Sequence, residues 1–207
     1  IAVTSFVAIK TSRTAIEAEA FDKLVAIREL KAAQIESYFF QIRNQMETFS
    51  ENKMIVRAMK EFSKGFGDLE NAVMTKGIRI TDSEENLVKY YRQEFLPKLS
   101  SSLDRDVFLE NYYPKTDGAI ALQDLYISSN KNELGSKQLL SDAKDGSSYS
   151  AAHASYHPIV RNYLDKFGYY DIFLIDAETG NIVYSVYKEV DFATSLLDGP
   201  HAKTNLA

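Results

Sequence analysis

His153 and His157 stand four residues apart, which on one helix would place two imidazoles on a single face at metal-ligand spacing. Pro158 follows directly, no Glu lies between them and no third ligand is evident, so they read as satisfied or capping histidines and no metal is expected. Asp176, Glu178 and Asn181 imitate part of a calcium loop, but a hairpin turn needs the same residues and the distal Glu of an EF-hand is missing. Cys is absent, which removes thiolate ligands, disulfides and thiol nucleophiles together. There is no G-x-S-x-G elbow and no glycine-rich phosphate cradle. The acid pairs Glu84 with Glu85 and Glu189 with Asp191 read as solvated or capping charge. Neither an enzyme nor a cofactor is expected within these residues.

A polar and aromatic cluster is more informative. Tyr156, Arg161, Tyr169, Tyr170, Asp171, Tyr184, Tyr187, Lys188 and Asp191 fall close together in the last quarter of the chain. Arg161 or Lys188 suits a carboxylate, Asp171 or Asp191 suits an amine, and the tyrosines suit the walls of a small-ligand pocket. The candidate ligand-binding set is therefore Arg161, Tyr169, Asp171, Tyr184, Lys188 and Asp191. Along a strand, Tyr184 and Lys188 share one face and Tyr187 takes the other. Asp171 lies in an otherwise apolar run, where burial demands a partner, and a structural pairing with Arg161 or Lys188 is the competing reading.

The element that positions this cluster is a hairpin. Tyr170 to Ile175 is aromatic and β-branched, Ile182 to Lys188 alternates, and between them Asp176 to Asn181 carries Gly180, with Asn181 nearly as tolerant of positive φ. An isolated ribbon is marginal in water, so helices must cover it. The expected fold class is α+β: a long N-terminal stalk helix, a helical middle, and the start of an antiparallel sheet left incomplete in this chain. Thr11 to Ser50 contains no Gly or Pro, and as one helix would reach about 60 Å. Phe21, Val25, Arg28, Ala32, Ile35, Phe39, Ile42, Met46 and Phe49 form a heptad seam that only Arg28 breaks, which points to pairing with a second copy or another long helix. A charge there weakens one packing and makes a second competitive. Helices are expected from Met54 to Phe66 with Gly65 and Gly67 closing, from a Thr81 or Ser83 cap to Pro97, and from Tyr149 to Lys166. Shorter pieces cover Arg105 to Tyr113, Ala119 to Ser128 and Lys137 to Ala143.

The bulk numbers fit one large domain, or a domain with an appendage. The 207 residues carry a formal charge of −5 with 26% charged residues, which argues against nucleic acid as a partner. Residues 1–9 are uncharged and mostly apolar, too few for a bilayer that needs about 20. They read either as an ordinary helix start or as the outer end of a transmembrane helix.

The stretch FGYYDIFLIDAETGNIVYSVYKEVDFATSLLDGP, with KAAQIESYFFQIRNQMETFSENKMIVRAMKEF, LQDLYISSN and YSAAHASYHPIVRNYLDKFGYYDIFLID, resembles the extracytoplasmic PAS-like Cache sensor regions of methyl-accepting chemotaxis proteins and related transmembrane signal transducers. The resemblance implies a PAS-like sheet and a receptor in the inner membrane with this region periplasmic. It assigns residues 1–9 to the end of a transmembrane helix, 10–53 to a stalk that makes a homodimer, and 54–207 to the sensor. Its ligand would be a small molecule, an amino acid or organic acid, or else a periplasmic binding protein. An output domain elsewhere in such a protein would be a kinase, cyclase or phosphatase. Amino-acid-binding members use a Tyr-Arg-Trp-Asp constellation; this chain has no Trp, and Arg161 alone is carried over. A helical interaction module without a ligand is the alternative.

Overall fold

A computed structural model describes residues 2–76 and 80–207, and for 2–5, 8 and 73–76 only the backbone. Ile1, the first residue of the expected membrane-helix end, and Gly77, in the mixed stretch before the third helix, lie outside the described residues. The chain divides into two compact units, residues 1–52 and 53–207.

The first unit is one helix, α1 (Ala2–Glu51), in which residues 2–10 are helical and run without a break into the Thr11 to Ser50 stretch. Asn52 ends it, donating its N–H to Phe49 O at 3.2 Å. Much of the seam is exposed, Phe21 at 67%, Ile35 at 57% and Phe39 at 64%, while Val25, Ile42, Met46 and Phe49 are half-buried. Arg28 is likewise exposed and lies 3.4 Å from Glu29. Among the described residues no helix is long and apolar enough to cross a membrane.

The second unit is α+β, mostly helical with one small antiparallel sheet. Helix α2 (Lys53–Lys76) buries Ile55, Ala58, Phe62 and Phe66, a helical stripe of apolar positions. Gly65 and Gly67 do not close it. A Cβ on Gly65 would sit 2.8 Å from Tyr149 Cα, so glycine there lets α2 lie directly on α6 (Ser148–Phe167). Close packing outweighs the intrinsic cost of glycine in a helix interior. Helix α3 (Ile80–Tyr90) already contains Thr81 and Ser83, so neither is its cap. The helix does not stop at Pro97: a π-helical turn (Tyr91–Phe95) leads into α4 (Leu96–Leu103), where proline occupies a first-turn position that needs no N–H.

Helix α5 (Asp117–Gln123) is capped by Thr116, whose hydroxyl accepts from Ala119 N, and passes into a second π turn (Asp124–Ser128). The Arg105 to Tyr113 and Lys137 to Ala143 pieces shrink to 3-10 turns at Leu109–Asn111 and Lys137–Leu139. Pro158 stands inside α6, which the Ser147 cap begins and Gly168 (φ 70°) ends.

The hairpin forms as expected but shorter. Strand β1 (Phe173–Ile175) pairs antiparallel with β2 (Ile182–Ser185), Leu174 opposite Tyr184, with a bulge between Leu174 and Ile175. Asp176 Oδ1 accepts from Glu178 N and Thr179 N, and Gly180 alone in the turn takes positive φ, 69°. The residues after Lys188 contribute more than expected. Ile182 N donates to Thr194 O, Ala193 N to Ile182 O and Leu196 N to Gly180 O, so residues 193–196 cover the edge at the start of β2.

Candidate functional site

The strand ends at Ser185, so strand alternation does not place the side chain of Lys188. Lys188 adopts φ 58°, a left-handed conformation that costs energy for any residue but glycine. Its side chain, 2% exposed, enters the core, where Nζ donates to Ser185 O. The ammonium lies 4.3 Å from the Tyr184 ring centroid, 5.0 Å from Phe192 and 5.7 Å from Tyr126. Three ring faces thus stand in for an anion. They only partly replace water: burial brings the ammonium down to about 7, against the opposing pull of Asp171.

Asp171 precedes β1 and enters none of the ion pairs among the described residues. Its Oδ1 accepts from the N–H groups of Ile172 (2.6 Å), Val186 (2.8 Å) and Tyr187 (3.4 Å), pinning the loop that delivers Lys188. Oδ2 is buried with no partner among the described residues. Burial raises this carboxyl, and the three N–H groups and Lys188 hold the rise in check.

The two histidines join this cluster as structural groups. They stack with ring centroids 4.3 Å apart. His157 Nε2 lies 2.7 Å from Gln138 O, which can only accept, so Nε2 carries the proton and Nδ1 accepts from the Tyr184 hydroxyl at 2.8 Å. Arg161 donates to the same Gln138 carbonyl at 3.0 Å. His153 Nδ1 lies 2.8 Å from Ser141 O, and its Nε2 has no partner among the described residues. Burial and the nearby Lys188 charge lower both histidines, His157 to about 3. Among the described residues no group of His, Cys, Asp and Glu has metal-binding geometry.

Of the six candidate residues, Arg161, Asp171, Tyr184 and Lys188 therefore meet in one linked interior cluster. The chain's own rings fill it: Phe62 stacks on Tyr184 at 4.8 Å, and Tyr149 donates to Val183 O. Arg161 spends a donor on a backbone carbonyl, and the Lys188 ammonium is enclosed by aromatic faces. Tyr169 stands apart, stacked on Tyr163 at 6.1 Å. Asp191 is half-buried, with Oδ1 out of water, and is raised to about 6, by desolvation first and then by the charges of Glu189 and Asp171.

A hollow lies beside this cluster. Its volume is about 320 Å³, walled by Tyr90, Phe95 and Lys98 on one side, Leu134 and Lys137 on a second, and Tyr187 to Val190 on a third. Gln123 ties two of these regions together: Oε1 accepts from the Tyr91 hydroxyl at 2.9 Å, and Nε2 donates to Val190 O and Phe192 O. Sequence reasoning did not single out Tyr90, Lys98, Gln123 or Lys137 for a site. No periodic or local motif marks them, since three segments distant in sequence build the walls. No family model, no curated protein and no solved structure matches this chain.

Proposed function

We propose that this chain is the extracytoplasmic sensor region of a membrane-anchored signal transducer of the Cache, PAS-like kind, in which residues 53–207 read a small molecule and α1 pairs with α1 of a second chain. The observation that carries this reading is the exposed part of the heptad seam of α1, with Phe21, Ile35 and Phe39 each more than half exposed. A seam of heptad spacing is complementary to itself, so a second copy covers it without any other partner. The roofed hairpin, the hollow beside it and the left-handed Lys188 in its wall support the sensing half, because uncommon backbone conformations gather at ligand sites. In the transducer, ligand occupancy biases two packings of the seam, and Arg28 keeps those packings close in energy.

The test is sedimentation equilibrium on the full chain and on an Ile35→Lys, Phe39→Lys variant. The expected result is a dimer that the double substitution converts to monomer; a wild-type chain still monomeric at about 100 µM would end the stalk reading. A second reading, a helical interaction module without a ligand, is favoured by the Phe62, Tyr149 and Tyr184 rings that fill the interior cluster. Thermal-shift screening with amino acids, organic acids and purines separates the two, since only a ligand reader is stabilised by mass action.

A further inference from the structure

The hollow between the first π turn and the Tyr187 to Val190 loop has one feature that a simple surface dent lacks. Lys137 reaches it from the second 3-10 turn and is 6% exposed. Its ammonium donates to Asn130 O at 2.7 Å and lies 5.4 Å from the Tyr90 ring centroid. Among the described ion pairs none includes Lys137. Burial lowers this ammonium and Glu94 acts on it only from beyond ion-pair distance, so a buried ammonium with three donors lacks a direct counter-charge.

We propose that this hollow binds a small monocarboxylate with an apolar or aromatic body, its carboxylate held by Lys137. The proposal rests on the sensor reading and names its ligand class. Lys188 is not the anion's partner, because its ammonium faces Tyr126, Tyr184 and Phe192, none of which lines the hollow. Lys98 lines the hollow with its side chain 59% exposed and only loosely engaged by Glu94 at 3.5 Å, placed to draw an anion in. Tyr90, Phe95, Leu134 and Tyr187 give the body an apolar lining. Glu189, whose carboxylate accepts from Tyr170 at 2.9 Å, sits in the Tyr187 to Val190 wall and disfavours a second negative group on the ligand. The volume falls at the small end of ligand sites, about 300–1,000 Å³, which suits acids the size of phenylacetate or 4-methylpentanoate. Two uncommon backbone features frame the same space: the π turn at Tyr91–Phe95 and the left-handed Lys188.

The experiment titrates the full chain by calorimetry with phenylacetate, 4-methylpentanoate and the uncharged amide of each. The acids are expected to bind at least about tenfold more tightly than their amides, as a charge-assisted hydrogen bond to a buried ammonium provides. Lys137→Met, its fold checked by circular dichroism, should bring that ratio to within about twofold, with the apolar contacts kept. If that variant does not fold, Lys98→Met at an exposed position carries the test: acid affinity drops about two- to fivefold and amide affinity holds. Amides that bind as well as acids, acid binding untouched by the variants, or no binding of any of the four probes overturns the carboxylate proposal. Each of those results leaves the sensor reading to its own arbiter, the sedimentation of the wild-type chain.

Discussion

Helix α1 and the residue 53–207 unit treat their side chains in opposite ways. The helix leaves Phe21, Leu24, Ile35 and Phe39 in water, whereas the second unit takes two lysines and two histidines out of it. A chain that buries Lys137 and Lys188 has apolar surface to spare around them. A helix that exposes phenylalanines has a face with nothing from its own unit upon it. The second unit is thus organised to be stable around costly polar groups, whereas the first leaves apolar side chains in water.

The sharpest way to break that contrast is to truncate one phenylalanine on each side. Phe62→Ala removes a fully buried ring that stacks on Tyr184 and packs on Tyr149, and should cost about 3–5 kcal/mol in urea denaturation. Phe39→Ala should leave the unfolding of the second unit within about 0.5 kcal/mol of wild type. Equal losses would erase the distinction.

The next effect is on pH. Lys188 in the folded chain falls from 10.5 to about 7, so between those values the unfolded state holds a proton that the folded state has given up. Stability should therefore rise with pH from about 7, at no more than about 1.4 kcal/mol per unit. It should turn down above 10, where Tyr149 and Tyr184, raised by burial, resist ionisation only in the folded state. Lys188→Met should flatten the rise between pH 7 and 9 in thermal melts. A slope unchanged in that variant would assign the proton elsewhere.

The smallest effects come from two glycines in one helix. Gly65→Ala forces a methyl against the Tyr149 backbone and should cost about 1–3 kcal/mol. Gly67→Ala meets nothing within 4 Å and should stabilise by about 0.5–1 kcal/mol, both read from urea midpoints.

These glycines also mark where sequence reading loses its grip. Gly65 and Gly67 look like a helix stop, and only the Tyr149 backbone, far along the chain, makes glycine the residue that lets the helix pass. The hairpin and the long helix were legible because their signals are local: a Gly180 turn between β-branched runs, and forty positions without a breaker. Strand alternation misled at Lys188, since Asp171 gathers the Val186 and Tyr187 amides and turns the chain into a left-handed bend that no two-residue period describes. The interior cluster was half visible as a set of residue types, but not the rings that fill it. Lys137 carried no signal, because its burial depends on Tyr90 and Asn130 approaching from other segments.

Gln123 braces the region beside the hollow. With its carbonyl held by the Tyr91 hydroxyl and its amide hydrogens by the Val190 and Phe192 carbonyls, it works as a strut between the π turn and the loop after β2. Walls braced in this way do not have to assemble around what enters, so recognition there would be a matter of fit to a ready shape, with quick entry and discrimination by length and girth rather than by closure.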